Sequence, residues 1–203
     1  MKYIPFLVLL LFCCCKRSKE IVTEPATRSV KESAMPEVAS DFLIEPGARI
    51  GHIEINANAE QLDSLLGKPD FSDAAMGKAW TSWYSKSAGE KKRHELNIYT
   101  TYENNELMKK VVRLVRITSP KFETAHGSHT GDSFDKTKNA FPEIVRVADY
   151  DLTASNPVSM YDAIETGIAF EFANDTCIAI TIHPKGRKVT QDYITLHPDM
   201  KLL

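Results

Sequence analysis

His126 and His129 stand three residues apart in AHGSHTGDS, with Asp132 and Ser133 just beyond, and here the sequence comes nearest to a reactive constellation. Two imidazoles at that spacing can share a metal ion, and histidine, acid and serine are the parts of a hydrolase site. Neither chemistry is written locally. Gly127 leaves the relative geometry of the two histidines to a loop, and His52, His94, His183 and His197 are scattered along the chain. No Cys-x-x-Cys or His-Glu-x-x-His spacing occurs, so no metal site is assigned. The stretch from Gly127 to Asp132 lacks the Gly-Lys-Ser/Thr ending of a phosphate loop and reads as turn glycines ahead of a helix. Ser133 is not in a nucleophile elbow. Asp70, Asp73, Asp149, Asp151 and Asp162 follow neither a glycosidase pairing nor a calcium-loop spacing. No catalytic residue and no cofactor are therefore assigned. A hydrolase that gathers His126, His129, Asp132 and Ser133 in a cleft stays as the alternative to a noncatalytic role.

The aromatic group in AWTSWYS points to contact rather than catalysis. On a strand, Trp80 and Tyr84 face one way and Trp83 the other, so one side can be core and the other an exposed patch. Tyr99 and Tyr102, on a neighbouring strand, would extend it. Large aromatics are enriched among the anchors of protein interfaces, which makes Trp80, Trp83, Tyr84, Tyr99 and Tyr102 the candidate surface for a protein partner.

Three of the four cysteines end an apolar run, YIPFLVLLLFCCC, that follows Lys2 and gives way to Lys16, Arg17 and Lys19. A basic start, a short apolar core and a small-residue exit make up an export signal. The core falls short of the roughly 20 residues that span a bilayer. The end of the run resembles the lipobox of bacterial lipoproteins, with Leu11 three residues before Cys14 and Cys13 immediately before it. That resemblance implies cleavage after residue 13 and acylation of Cys14, with Cys15 as the alternative, which would put Phe12 in the leucine position. It also implies membrane lipid as a partner, since stable anchoring takes more than one acyl chain. Without residues 1–13 the chain carries 24 Lys and Arg against 27 Asp and Glu, a balance that offers nothing to nucleic acid. After Cys14 there is neither an acidic inner-membrane retention signal nor an acidic surface-export tag, so the expected location is the periplasmic face of the outer membrane. Cys177 is left alone, cannot form an internal disulfide, and is expected to be a buried thiol.

These groups need a frame to position them. Residues 14–41, interrupted by Pro25 and Pro36 and without apolar periodicity, read as an acylated N-terminus and a flexible tether. One folded domain is expected over 42–203. Asn58 with Gln61 three residues later marks a helix start, Leu62, Leu65 and Leu66 form its stripe, and Gly67 and Pro69 end it. Strands are expected around 80–84, 96–102 and 110–119. After Gly127 and Gly131, a second helix capped by Asp132 or Ser133 carries Phe134, Ala140 and Phe141 and stops at Pro142, followed by a strand at 144–150 and a loop, LTASNPVSMYDAIET. Gly167–Ala173 and Thr176–His183 make a hairpin around Asn174-Asp175, with Ile168, Phe170 and Phe172 on one face and Ile178, Ile180 and Ile182 on another. The pattern predicts an α+β fold: an antiparallel sheet with short helices packed on one face. It is arranged as a tandem helix-plus-strands pseudo-repeat over about 50–120 and 126–185.

Gly51-His-Ile-Glu-Ile-Asn, Leu65-Leu66-Gly67-Lys-Pro69, Gly131-Asp-Ser133-Phe134 and Ala140-Phe141-Pro142 resemble the tandem domains of the β-lactamase-inhibitor-protein type and the related small outer-membrane assembly lipoproteins. Gly167-Ile-Ala-Phe170-Glu-Phe172 and Ile178-Ala-Ile180 resemble their closing hairpin, and the whole is similar to lipoproteins of Bacteroidota. The family holds enzyme inhibitors, assembly subunits and proteins without assigned activity, so the resemblance implies a fold and carries over no function. The expected role, a noncatalytic protein-binding or assembly module of the cell envelope, rests on the missing catalytic pattern.

Overall fold

Ile168–Ala173 (β11) and Thr176–Ile182 (β12) pair antiparallel, with Ile168 opposite Ile182 and Phe170 opposite Ile180. Asn174 and Asp175 supply the two positive φ angles, 47° and 65°, that a tight two-residue hairpin requires. A register shift after Glu171 puts Phe172 opposite Cys177. That bulge sends Ile178 to the face opposite Ile180 and Ile182, against Tyr150 and Val158, so the three isoleucines do not share one face.

This hairpin lies inside a nine-stranded sheet. The computed structural model describes residues 39–86, 93–103, 106–154, 156–191 and 196–203; Cys14, Cys15, the leader and the tether up to residue 38 lie outside them. On one side of the hairpin come Val145–Thr153 (β9) and Asn156–Ala163 (β10). On the other come Glu106–Ile117 (β7), Glu95–Glu103 (β6), Lys78–Tyr84 (β5) and Phe71–Ala75 (β4). Lys201–Leu202 (β13) adds to the far edge, and the order is β13-β9-β10-β11-β12-β7-β6-β5-β4 with every pair antiparallel. A second, four-stranded sheet is formed by Leu43–Glu45 (β1), Arg49–Ile50 (β2), Ile53–Glu54 (β3) and Glu123–Thr124 (β8), in the order β3-β2-β1-β8, with β1 and β8 parallel.

The two expected helices form, but are short: Leu62–Leu66 (α1) and Phe134–Ala140 (α2), of 5 and 7 residues, one to two turns each. Asn58 caps a 3-10 turn that leads into α1, and Ser133 caps α2 through its hydroxyl, which accepts from the Lys136 amide. The fold is therefore mainly β, and the α+β class is overturned. The discrepancy lies in the strands. The stretch LTASNPVSMYDAIET, expected as a loop, contains the strand Asn156–Ala163. Pro157 stands at a register shift, where its missing N–H disturbs the ladder least. β7 likewise runs for 12 residues. In chain order α1 precedes the four-strand meander β4–β7, and α2 precedes the meander β9–β12.

One face of the large sheet carries Ile98, Val112, Ile117, Phe170, Ile180 and Ile182 against Ile44 and Ile50 of the small sheet, with Leu62 and Phe141 closing the ends. Each fully buried side chain of this size contributes roughly 1.5–3 kcal/mol. That burial holds two- and three-residue strands that could not persist alone. The opposite face is the unusual one, because among its buried apolar side chains, Trp80, Tyr99, Leu114 and Met160, runs a row of buried polar groups.

Candidate functional site

Ser82, Asn97, Arg116 and Glu171 follow one another across β5, β6, β7 and β11 on that opposite face, and all are almost fully buried. Strand periodicity places them there: Asn97 is two residues from Tyr99, Arg116 two from Leu114, and Glu171 lies between Ala169 and Ala173. Asn97 donates to Ser82 Oγ at 2.8 Å, and Arg116 Nη1 donates to Asn97 Oδ1 at 2.9 Å. The Arg116 fork then binds both Glu171 oxygens, Nε to Oε1 at 2.8 Å and Nη2 to Oε2 at 2.7 Å. Tyr150 of β9 donates its hydroxyl to Glu171 Oε2 at 2.6 Å, and the His197 ring stacks on Tyr150 at 3.7 Å and 9°. Burial by itself pushes the Glu171 carboxyl up, but the Arg116 charge and hydrogen bonds outweigh it and hold the group below its ordinary value. Burial, reinforced by the Glu171 charge, pushes Tyr150 up, so it remains a phenol donor.

This array could do acid–base chemistry only if a substrate reached it. The space beside it, lined by Trp80, Arg116, Glu171, Leu196, His197 and Met200, amounts to about 20 Å³, room for about one water. The C-terminal segment closes it. That segment is fixed at its start by the Val189 amide, which donates to Asp162 Oδ2 at 2.8 Å, while Asp162 Oδ1 lies 2.9 Å from His183 Nε2. These polar groups thus form a buried structural network with room beside them for about one water. Arg116 and Glu171 escaped the sequence reading, although a lone charge inside IAFEFA and another inside LVRI were the available signals.

The aromatic candidates separate. Trp80, 6% exposed, and Tyr99, at 0%, face each other at 5.4 Å in the core of the polar side, so neither can meet a partner. They are β-sheet neighbours whose common face is covered by the chain's own C-terminal segment, a long-range contact that local alternation does not reveal. Trp83, Tyr84 and Tyr102 stay half-buried. Trp83, on the opposite side of the strand from Trp80, donates its indole N–H to the Gly67 carbonyl at 3.0 Å. Tyr102 lies apart, packed by Gly77, with Lys110 5.4 Å above its ring.

Trp83 and Tyr84 line an open cleft of about 270 Å³ with Leu96, Ile117 and Phe122. β5, β6 and β7 end together here, and the turn at Ser119–Phe122 brings Phe122 over them. This is the accessible concavity that contains aromatic candidates.

The hydrolase candidates are occupied otherwise. Ser133 Oγ, exposed, accepts from Lys136 N at 3.3 Å as the α2 cap. Asp132 is buried and takes Lys136 Nζ at 2.7 Å and the His129 amide at 3.0 Å, with His129 Nε2 at 3.4 Å. His129 Nδ1 lies 2.8 Å from the Thr130 carbonyl oxygen, and His126 is exposed. The cluster holds a loop to the start of a helix. Burial pushes the Cys177 thiol up, away from the reactive thiolate. Among the described residues no group of His, Cys, Asp and Glu could hold a metal ion, and no helix is long and apolar enough to cross a membrane.

No family model matches the chain, and no curated protein matches it. Among solved structures it is similar to the crystal structure of a DUF4309 family protein (YjgB) from Bacillus subtilis, with 11% identity over 67% of this chain and 84% of that one. The TM-score is 0.37, too low to carry an argument about fold or function.

Proposed function

We propose that this chain is a lipoprotein of the bacterial cell envelope, acylated at Cys14 or Cys15 and held at the periplasmic face of the outer membrane. Its folded domain binds another envelope protein without catalysis. The observation that carries the binding role is the open cleft at Trp83, Tyr84 and Phe122, about 270 Å³ of largely aromatic and aliphatic wall. Interface anchors are enriched in such side chains. Of the groups that could have made a hydrolase, Ser133 caps a helix and Asp132 is held by Lys136 and the His129 amide. Anchoring rests on the cysteine run after an apolar segment too short to span a bilayer.

Mass spectrometry of the mature N-terminus decides the anchor: a diacylated or triacylated peptide beginning at Cys14 or Cys15 is expected, and an unacylated start elsewhere rules it out. Photo-crosslinking in intact envelopes, from a probe at position 84, addresses the binding role. One envelope protein should be captured reproducibly and lost on Trp83→Ala with the circular dichroism spectrum unchanged. Turnover of an ester or peptide substrate that disappears with His129→Ala would instead establish the hydrolase.

A further inference from the structure

We infer that the Trp83–Phe122 cleft receives a single aromatic side chain presented by an acidic segment of the partner protein. This rests on the reading of the cleft as a contact surface and adds the chemistry of what enters it. Size comes first. Sites for drug-sized ligands occupy roughly 300–1,000 Å³, and this cleft, at about 270 Å³, lies just below that range. One ring-bearing residue fills such a space; an extended ligand does not. The wall matches that guest, because Trp83, Leu96, Ile117 and Phe122 supply apolar and π surface while Ser119 and His94 leave a polar lip.

Charge at the rim sets the sign of what flanks the ring. Lys121 lines the cleft and is exposed, and Arg93, also exposed, lies 5.7 Å over the Tyr84 ring. Neither cation forms an ion pair among the described residues, and exposed Lys86 follows one residue after Ser85. Two carboxylates stand against these three cations. Glu95, the sole acidic lining residue, has Oε2 at 3.3 Å from Arg116 Nη1, and Asp70 Oδ2 accepts the Tyr84 amide at 2.8 Å. An apolar floor under an excess of cations among the described residues favours a ring flanked by carboxylates. Complementary potentials of this kind set specificity and association rate.

Trp80 and Trp83 are the only tryptophans, so a Trp80→Phe chain reports on the cleft alone. The full chain in phosphatidylcholine vesicles is titrated with the peptide Ac-Asp-Glu-Phe-Glu-Asp-amide while Trp83 emission is followed. A saturable change below about 1 mM is expected, a modest affinity for one side chain. Replacing the peptide's Phe by Ala should abolish it, and replacing its four acids by lysines should weaken it at least tenfold. Lys121→Glu and Arg93→Glu, both at exposed positions, should each weaken binding by about fivefold, the equivalent of one exposed ion pair. Equal binding of the acidic and basic peptides overturns the charge assignment while leaving a binding cleft in place. No response to any of the peptides overturns the single-ring guest, and the envelope crosslink then decides separately whether a partner contacts this face. A Trp83 response to phosphatidylglycerol vesicles without peptide would assign the cleft to lipid and overturn the inference.

Discussion

Arg116→Met would leave the Glu171 carboxylate buried with only Tyr150 for a partner. Breaking a buried pair from one side costs about 3–5 kcal/mol, and the pair here is bidentate and nearly solvent-free. Urea unfolding should show that loss for Arg116→Met, and a smaller one for Arg116→Met combined with Glu171→Leu, because no charge is then stranded. The same pair sets a pH dependence. Glu171 has its folded pKa lowered, so its contribution is present above the unfolded value of 4.5 and is lost as pH falls through the folded one. Tyr150 has its folded pKa raised, so its contribution is present below the unfolded value of 10.0 and is lost as pH rises through the folded one. Wild-type stability should therefore fall in acid below pH 4.5 more steeply than that of Glu171→Gln; parallel curves would show that Arg116 does not hold Glu171 ionised. This pair joins residues 55 apart in sequence. A lone Glu171 among six strand residues marked an anomaly, but the sequence could not name its partner.

At the scale of elements, Gly167 is where the two sheets are stitched together. Its carbonyl accepts from the amides of Gly47, in the turn between β1 and β2, and His183, at the end of β12, both at 3.0 Å. Its φ of +78° disfavours any residue with a Cβ, and a Cβ there would collide with the His183 carbonyl oxygen and the Gly47 backbone. Left-handed backbone alone costs roughly 1–2 kcal/mol outside glycine, so Gly167→Ala should cost more than about 2 kcal/mol by thermal or urea unfolding. Gly127→Ala, at a similar φ of +73° but with open space around it, should cost only the backbone part. Equal losses would mean that the close approach is unimportant. What was legible at this scale was local: the Asn174-Asp175 turn, the Ser133 cap and the alternation of Ile168, Phe170 and Phe172. What was not legible came from distant pairing. Pro157 is tolerated because it falls at a register shift, and Trp80 and Tyr99 are core because the C-terminal segment crosses them.

That crossing matters to the whole molecule, because the large sheet buries side chains on its second face as well as on the one that meets the small sheet. Leu196 and Met200 pack on the cluster of Trp80, Tyr99, Leu114 and Met160, His197 stacks on Tyr150, and Leu202 pairs with Ala148. Removing residues 196–203 takes away two partly buried apolar side chains and a strand pairing. Full burial of one such side chain contributes roughly 1.5–3 kcal/mol, so the shortened chain should lose about 2–4 kcal/mol. Water would then reach the Arg116–Glu171 pair, and since a charge pair weakens as the local dielectric rises, the acid-range difference between the parent sequence and Glu171→Gln should shrink in the truncated background. Trp80, 6% exposed in the intact chain, gives an independent readout: in a Trp83→Phe background its emission should shift to the red on truncation. The cleft around Trp83 lies on the other face, so Trp83 emission in a Trp80→Phe background should hold. A truncated chain with reduced stability but unshifted Trp80 emission would place the loss elsewhere and refute the closure of this face by residues 196–203.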